Sequence, residues 1–207
     1  MADAKTPTGA RRRRSDADRS VTAILDAALE ALASDSEASM AEIARRAGVV
    51  RATIYVHFPT REALLDAVME HATNQVAEAI RAAEPMRGEP VEALERMVLA
   101  TWRQLSQFHN LLTINTARLS PQELYRRHLP MTSQFAPLIE RGQQAGVFRN
   151  DFPVVWHMAV VRSLVHTASH ELQAGRISEA DVEATMLSTI KGALAASTAP
   201  KPKRGGR

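Results

Sequence analysis

The sequence predicts an all-α fold, with a three-helix N-terminal domain followed by a larger helical domain. Three observations predict it. Apolar residues recur at steps of three and four along most of the 207 residues. No convincing run alternates with the two-residue period of a strand. Capping residues and helix breakers, among them Ser39, Gly48 and Thr60, stand where such helices would start and stop.

Residues 1–17 are mostly Ala, Arg, Asp, Thr and Pro without periodicity, and read as a disordered basic arm containing Arg11, Arg12, Arg13 and Arg14. Ile24, Leu25, Ala28, Leu29 and Leu32 then form the stripe of a first helix, broken by Ser34-Asp35-Ser36. Ser39 and Glu42 make a capping box, in which each side chain satisfies one free backbone N–H at the start of a second helix. That helix carries Ile43, Ala44 and Ala47 and stops at Gly48. A short third helix spans roughly 51–58. Pro59-Thr60 ends it, and Thr60 caps a fourth helix with Leu64, Leu65, Val68, Met69 and Val76. These elements predict a domain over 18–66 and a linking helix that continues to about 84. Pro85-Met86-Arg87-Gly88-Glu89-Pro90 reads as a linker. A second domain over 85–196 would hold helices near 91–108, 109–118, 122–145, 153–174 and 178–196, and residues 197–207 would form a second disordered basic tail.

Composition excludes several classes. Hydrophobic residues are 45% and charged residues 24%, as in a soluble globular protein. With no cysteine there is no disulfide framework and no thiolate site. No uninterrupted apolar run approaches the roughly 20 residues of a membrane span, and no apolar stretch precedes the arginine block, so no signal peptide and no membrane partner are expected. A cytoplasmic protein fits these features. There is no Gly-rich phosphate loop, no Gly-x-Ser-x-Gly and no Glu-x-x-His pattern, so no enzyme and no cofactor are expected. His166 and His170 have the i, i+4 spacing of metal ligands but lack an evident third, and no metal site is assigned.

The residues that carry chemistry lie between 40 and 58. Two short helices separated by a turn at Gly48 have the helix-turn-helix layout, whose second helix enters the major groove of double-stranded DNA. At 100° per residue Val50, Ile54 and Phe58 share one face and are expected to pack inward. Ala52, Thr53 and Val56 would face outward, flanked by Tyr55 and His57. Outward methyl groups suit contact with thymine, Arg51 suits a guanine edge, and Thr53, Tyr55 and His57 suit phosphate oxygens. Between 41 and 61 stand Arg45, Arg46, Arg51 and Arg61 against one acid, Glu42.

Ile43-Ala44, Ala47-Gly48-Val49, Thr53-Ile54-Tyr55, His57-Phe58 and Thr60-Arg61-Glu62-Ala63-Leu64-Leu65 resemble, in order and spacing, the DNA-binding signature of the TetR/AcrR family of transcriptional regulators. The resemblance spans 20–66 and departs from the family's usual residues at Val50 (Ser or Thr) and Arg61 (Lys). It implies that Arg51, Ala52, Thr53, Tyr55, Val56, His57 and Arg61 lie at or near DNA. It also implies that 85–196 is a ligand-binding and dimerisation domain whose last two long helices form a four-helix bundle in a homodimer. Locally, Val154 to Val161 is apolar almost all round, as a helix buried on two sides would be, and Val182, Met186, Ile190 and Ala193 make a stripe on the last helix.

The expected function is a repressor released from a palindromic operator by a small apolar or amphipathic effector. Both tryptophans and several Met and Phe residues could line its pocket or fill a core. The candidates are Trp102, Arg103, Phe108, His109, Asn115, His128, Met131, Phe135, Trp156 and Arg162. A DNA-binding protein without a ligand, and a helical adaptor that binds another protein, stay open as alternatives.

Overall fold

The computed structural model describes residues 8–107 and 109–196. Among them are ten α-helices and no extended strand: α1 (Thr8–Ser34), α2 (Met40–Arg46), α3 (Arg51–His57), α4 (Arg61–Ala82), α5 (Pro90–Gln107), α6 (His109–Arg118), α7 (Pro121–Thr132), α8 (Ala136–Gln144), α9 (Val154–Gln173) and α10 (Glu179–Leu194). No described helix is long and apolar enough to cross a membrane.

Two differences from the expected elements have local causes. α1 begins at Thr8, so the backbone over 8–17 is helical rather than irregular; its Ala and Arg residues are strong helix formers. The remainder of the arm and the tail from 197 lie outside the described residues. The helix expected over 122–145 is interrupted by a 3-10 turn, Ser133–Phe135. Pro130 lies inside α7 and Pro137 at the start of α8, and neither can donate the backbone bond that a continuous helix requires.

The described chain divides into two compact units, and the division does not follow the expected linker. The first unit contains 8–73 together with 107–127. Its core joins Ile24, Ala28 and Leu32 of α1 to Ile43, Ile54, Leu64, Val68 and, from α6, Leu111. Asn110 Nδ2 also donates to the Ala33 carbonyl at 2.8 Å. On α4, Asp66 accepts from Arg118 at 3.2 Å and Arg127 at 3.0 Å, which ties α6 and α7 to the same unit.

The second unit contains 74–106 and 128–196. Its core runs through Val76, Ile80, Leu94, Met97, Trp102, Phe135, Leu138, Phe148, Val161, Val165 and the α10 stripe Val182, Met186, Ile190 and Leu194. Residues 83–89 are a loop within it, held by Arg96, whose guanidinium donates to the carbonyls of Ala83, Glu84 and Arg87. Backbone bonds from Arg149 N to Leu194 O (2.9 Å) and from Ala196 N to Val147 O (3.1 Å) fasten the end of α10 to the segment after α8.

Candidate functional site

The first candidate site is built on α2 and α3. Ser39 caps α2, its Oγ accepting from Glu42 N at 3.2 Å. The reciprocal half of the expected capping box is replaced: the Glu42 carboxylate binds Arg45 and Arg46 instead. The helix ends in a Schellman arrangement. Gly48 N donates to Arg45 O and Val49 N to Ala44 O, with Gly48 at φ 67°, a conformation that favours glycine. The chain then re-enters a helix at Arg51.

Ile54 and Phe58 anchor α3 in the first core. Val50 does not join them, contrary to the expected inward face. It is 70% exposed, because it is the N-cap with extended backbone and its side chain is out of phase with the helix. Opposite the anchors, Arg51, Ala52, Tyr55 and Val56 are exposed, Val56 at 76%, and Thr53 and His57 are half-buried beside them. The Arg51 guanidinium lies 5.6 Å from the Tyr55 ring centre and reaches its hydroxyl at 3.5 Å. This short helix thus presents a mixed methyl, phenol and guanidinium surface on a rigid base.

The four arginines of the segment are not equivalent. Hydrogen bonds from Arg45, then Arg46, hold the Glu42 carboxyl down at about 2, so it stays ionised and engages both cations. The Arg61 guanidinium turns back to the carbonyls of Ala38 and, at 2.9 Å, Ser36, where it fixes the loop before α2. Thr60 Oγ1 caps α4 by accepting from Ala63 N at 3.1 Å. Arg51 is left pointing outward with Tyr55.

The second candidate site is a cavity inside the second unit. Leu105, Met131, Phe135, Met158, Val161 and Val165 make its apolar wall, and Thr101, Thr132, Arg162 and His166 its polar part. The space between these side chains is narrow, and the part wide enough for water holds about one molecule. A ligand would therefore have to spread the walls, which two flexible methionines permit.

Of the ten residues expected to line a pocket, Met131, Phe135 and Arg162 do so. Trp102 is buried in the core next to the cavity-lining Thr101, since one helical step of 100° turns it away, and Arg103 is exposed. Trp156 is 55% exposed, on the face of α9 opposite Met158. Asn115 is buried in the first unit, with its Oδ1 unpaired, and His109 opens α6 there. Phe108 lies outside the described residues. His128 stands beside the lining His166, ring centres 6.3 Å apart. Sequence reasoning missed Thr101, Leu105 and His166 as lining residues. The readable signal was the Arg162/His166 pair at i, i+4 on the face that carries Met158. His157 is a core residue whose Nε2 donates to Arg149 O at 3.0 Å.

Two family models match the chain: bacterial regulatory proteins of the tetR family over residues 24–68, and the tetracyclin repressor-like C-terminal domain over 90–189. The chain belongs to the TetR family. As a TetR-family protein it is a DNA-binding transcriptional regulator, and the first match falls on the helices built around Ile54. Among its relatives is the HTH-type transcriptional repressor LfrR of Mycolicibacterium smegmatis, 28% identical over 86% of this chain and 92% of LfrR. Another is the regulator NfxB of Pseudomonas aeruginosa, 26% identical over 79% of this chain and 88% of NfxB. The fold matches the crystal structure of LfrR from Mycobacterium smegmatis in complex with proflavine, with a TM-score of 0.70 at 23% identity, covering 87% of this TetR-family chain and 98% of that one. It also matches the fatty acid degradation regulator FadR of Bacillus halodurans, with a TM-score of 0.67 at 19% identity over 92% and 95%.

Proposed function

We propose that this TetR-family protein is a homodimeric repressor that reads a palindromic operator with α3 and is released by a small amphipathic effector bound in the cavity of the second unit. The observation that carries the reading is the outward face of α3. A helix seven residues long spends its only fully buried side chain, Ile54, on anchoring and exposes Ala52 and Val56 beside Arg51 and Tyr55. Exposed methyl groups gain nothing in water but pack well against thymine methyls, and Arg51 can donate two bonds to a guanine edge. Thr53, Tyr55 and His57 would bind phosphates. Arg61 would act by holding the loop before α2 in place.

Repression is supported by the likeness to LfrR, a named repressor, and an effector by that relative's complex with proflavine. The dimer is supported by the outer surfaces of α9 and α10. Val155 and Trp156 are exposed apolar residues, and Ala184, Ser188 and Gly192 make an exposed small-residue face that permits close helix packing. Val182, Met186 and Ile190 of the α10 stripe fill the subunit's own core, with Ile190 fully buried. An effector would stabilise one of two conformations and so change the spacing of the two recognition helices. α4 is suited to relay the change, since Leu64 and Val68 belong to the first core, and Val76 and Ile80 to the second. The test is fluorescence anisotropy on an operator recovered by genome-wide mapping. A saturable complex with two protomers per palindrome that an amphipathic ligand dissociates supports the reading; binding indifferent to sequence contradicts it.

A further inference from the structure

We propose that Glu42 is a specificity-determining residue for DNA binding: its carboxylate clamps Arg45 and Arg46 to the surface of α2, withholds them from DNA phosphates, and so keeps binding to arbitrary sequence weak. Glu42 acts here within the helix-turn-helix alone, whatever the operator and the effector are.

The three side chains lie together on the outer side of α2. Met40, Ile43 and Ala44 turn into the first core, while Arg45 and Arg46 are exposed and Glu42 is half-buried. Spacings of three and four residues bring both guanidiniums over the one carboxylate. Arg45 docks fork to fork, Nε donating to Oε2 at 2.9 Å and Nη2 to Oε1 at 2.6 Å. Arg46 Nε adds a bond to Oε1 at 2.8 Å. The two-pronged geometry that Arg45 makes with Glu42 is the one a phosphate would take, so the carboxylate competes with the DNA backbone for the same donors. The cap of α2 does not depend on this carboxylate. Ser39 Oγ supplies it, accepting from the Glu42 backbone N–H.

Position makes the clamp matter. The first helix of a helix-turn-helix crosses the DNA backbone, so cations on the outer side of α2 lie where phosphates pass. Two unclamped arginines would each add a contact that strengthens binding to every sequence alike and lowers the ratio of specific to non-specific affinity. With Glu42 ionised, the two guanidiniums and one carboxylate carry a net charge of +1 rather than +2. An exposed ion pair is weak on its own. Here, however, drawing both arginines away would leave a bare carboxylate facing the polyanion. Bonds from Arg45, then Arg46, hold the Glu42 carboxyl at about 2, so the clamp persists throughout the neutral range. Arg51 on α3 contrasts with this pair, because it reaches the neutral hydroxyl of Tyr55. The cations of α2 are thus restrained by a carboxylate, and that of the recognition helix is not.

Fluorescence anisotropy of the full-length protein tests this on a labelled mixed-sequence duplex that contains no palindrome, with salt varied from about 50 to 200 mM. No operator and no effector enter the measurement, so its outcome is separate from theirs. E42Q should bind this duplex more tightly than the wild type. Its log–log salt slope should be steeper by about 0.9 for each released arginine that reaches a phosphate. E42Q/R45Q/R46Q should return the slope to the wild-type value. An E42Q slope equal to that of the wild type overturns the proposal, with or without a lower melting temperature, since Glu42 would then be structural only. A steeper slope that the triple variant keeps also overturns it, because the gain would not run through the arginines. If E42Q fails to fold, R45Q/R46Q decides. A slope equal to the wild type's supports the clamp, and one shallower by about 0.9 or more shows that the arginines already bind phosphates and overturns it.

Discussion

At the residue scale, the structure assigns jobs that residue type alone does not. Arg61 matches a position expected near DNA, yet its guanidinium is spent on the carbonyls of Ser36 and Ala38. We expect R61A to lower the melting temperature and weaken DNA binding equally for all sequences. The log–log salt slope should change by less than the roughly 0.9 that a lost phosphate contact produces; a full change would return Arg61 to the phosphate. Gly142 is a second case. A Cβ there would overlap the ring of Phe148, which is buried and whose N–H donates to the Gly142 carbonyl at 3.0 Å. G142A should therefore destabilise by about 1–3 kcal/mol in thermal or urea denaturation, although alanine is the better helix former. Such assignments were not legible in the sequence, because they depend on partners that are distant along the chain. Ile54, Phe58, Ser39 and Thr60 were legible, because their partners are local or their burial follows from periodicity.

At the element scale, the helices were legible wherever a stripe and a cap agreed, as at Ser39 for α2, Gly48 at its end and Ser178 for α10. Reading failed at Val50, where helical phase was extended one residue too far into a cap. It failed again at 122–145, where two prolines outweighed a continuous apolar pattern. The packing of α7 and its turn near α9 carries a pH consequence. His128 is held at about 4 by burial first, then by His166 and Arg162, against about 6.5 when unfolded. Since the folded value is the lower one, the unfolded chain binds more protons between those values, and stability falls as pH drops from about 6.5 toward 4. At pH 5 the loss from this group is about 1–2 kcal/mol. H128Q should remove that part of the decline between pH 7 and pH 5 in urea denaturation; an unchanged decline would place the acid sensitivity elsewhere.

At the scale of the whole molecule, the all-α class and the helix-turn-helix were readable, because both are written in short-range periodicity. The membership of the two units was not. Leu111 and Asn110 look like continuations of a C-terminal domain, but they pack on α1, a contact between segments some 80 residues apart. The cavity was readable in kind but not in detail, since which side of α5 or α9 faces it is set by packing. Dimerisation belongs to this scale as well. Trp156 is exposed on α9 and contributes nothing to its own core, so W156R should leave the fold intact, yield a monomer by light scattering at micromolar concentration, and lose operator binding with it. A W156R dimer would move the interface away from that surface. If α3 reads base sequence through Arg51, genome-wide mapping of binding sites for the wild type and R51A will separate the two proteins. Discrete palindromic sites are expected for the wild type, and for R51A fewer sites with relaxed base preference, in keeping with a loss of about 1–3 kcal/mol per bidentate contact. Identical palindromic sites at undiminished occupancy in R51A would contradict it.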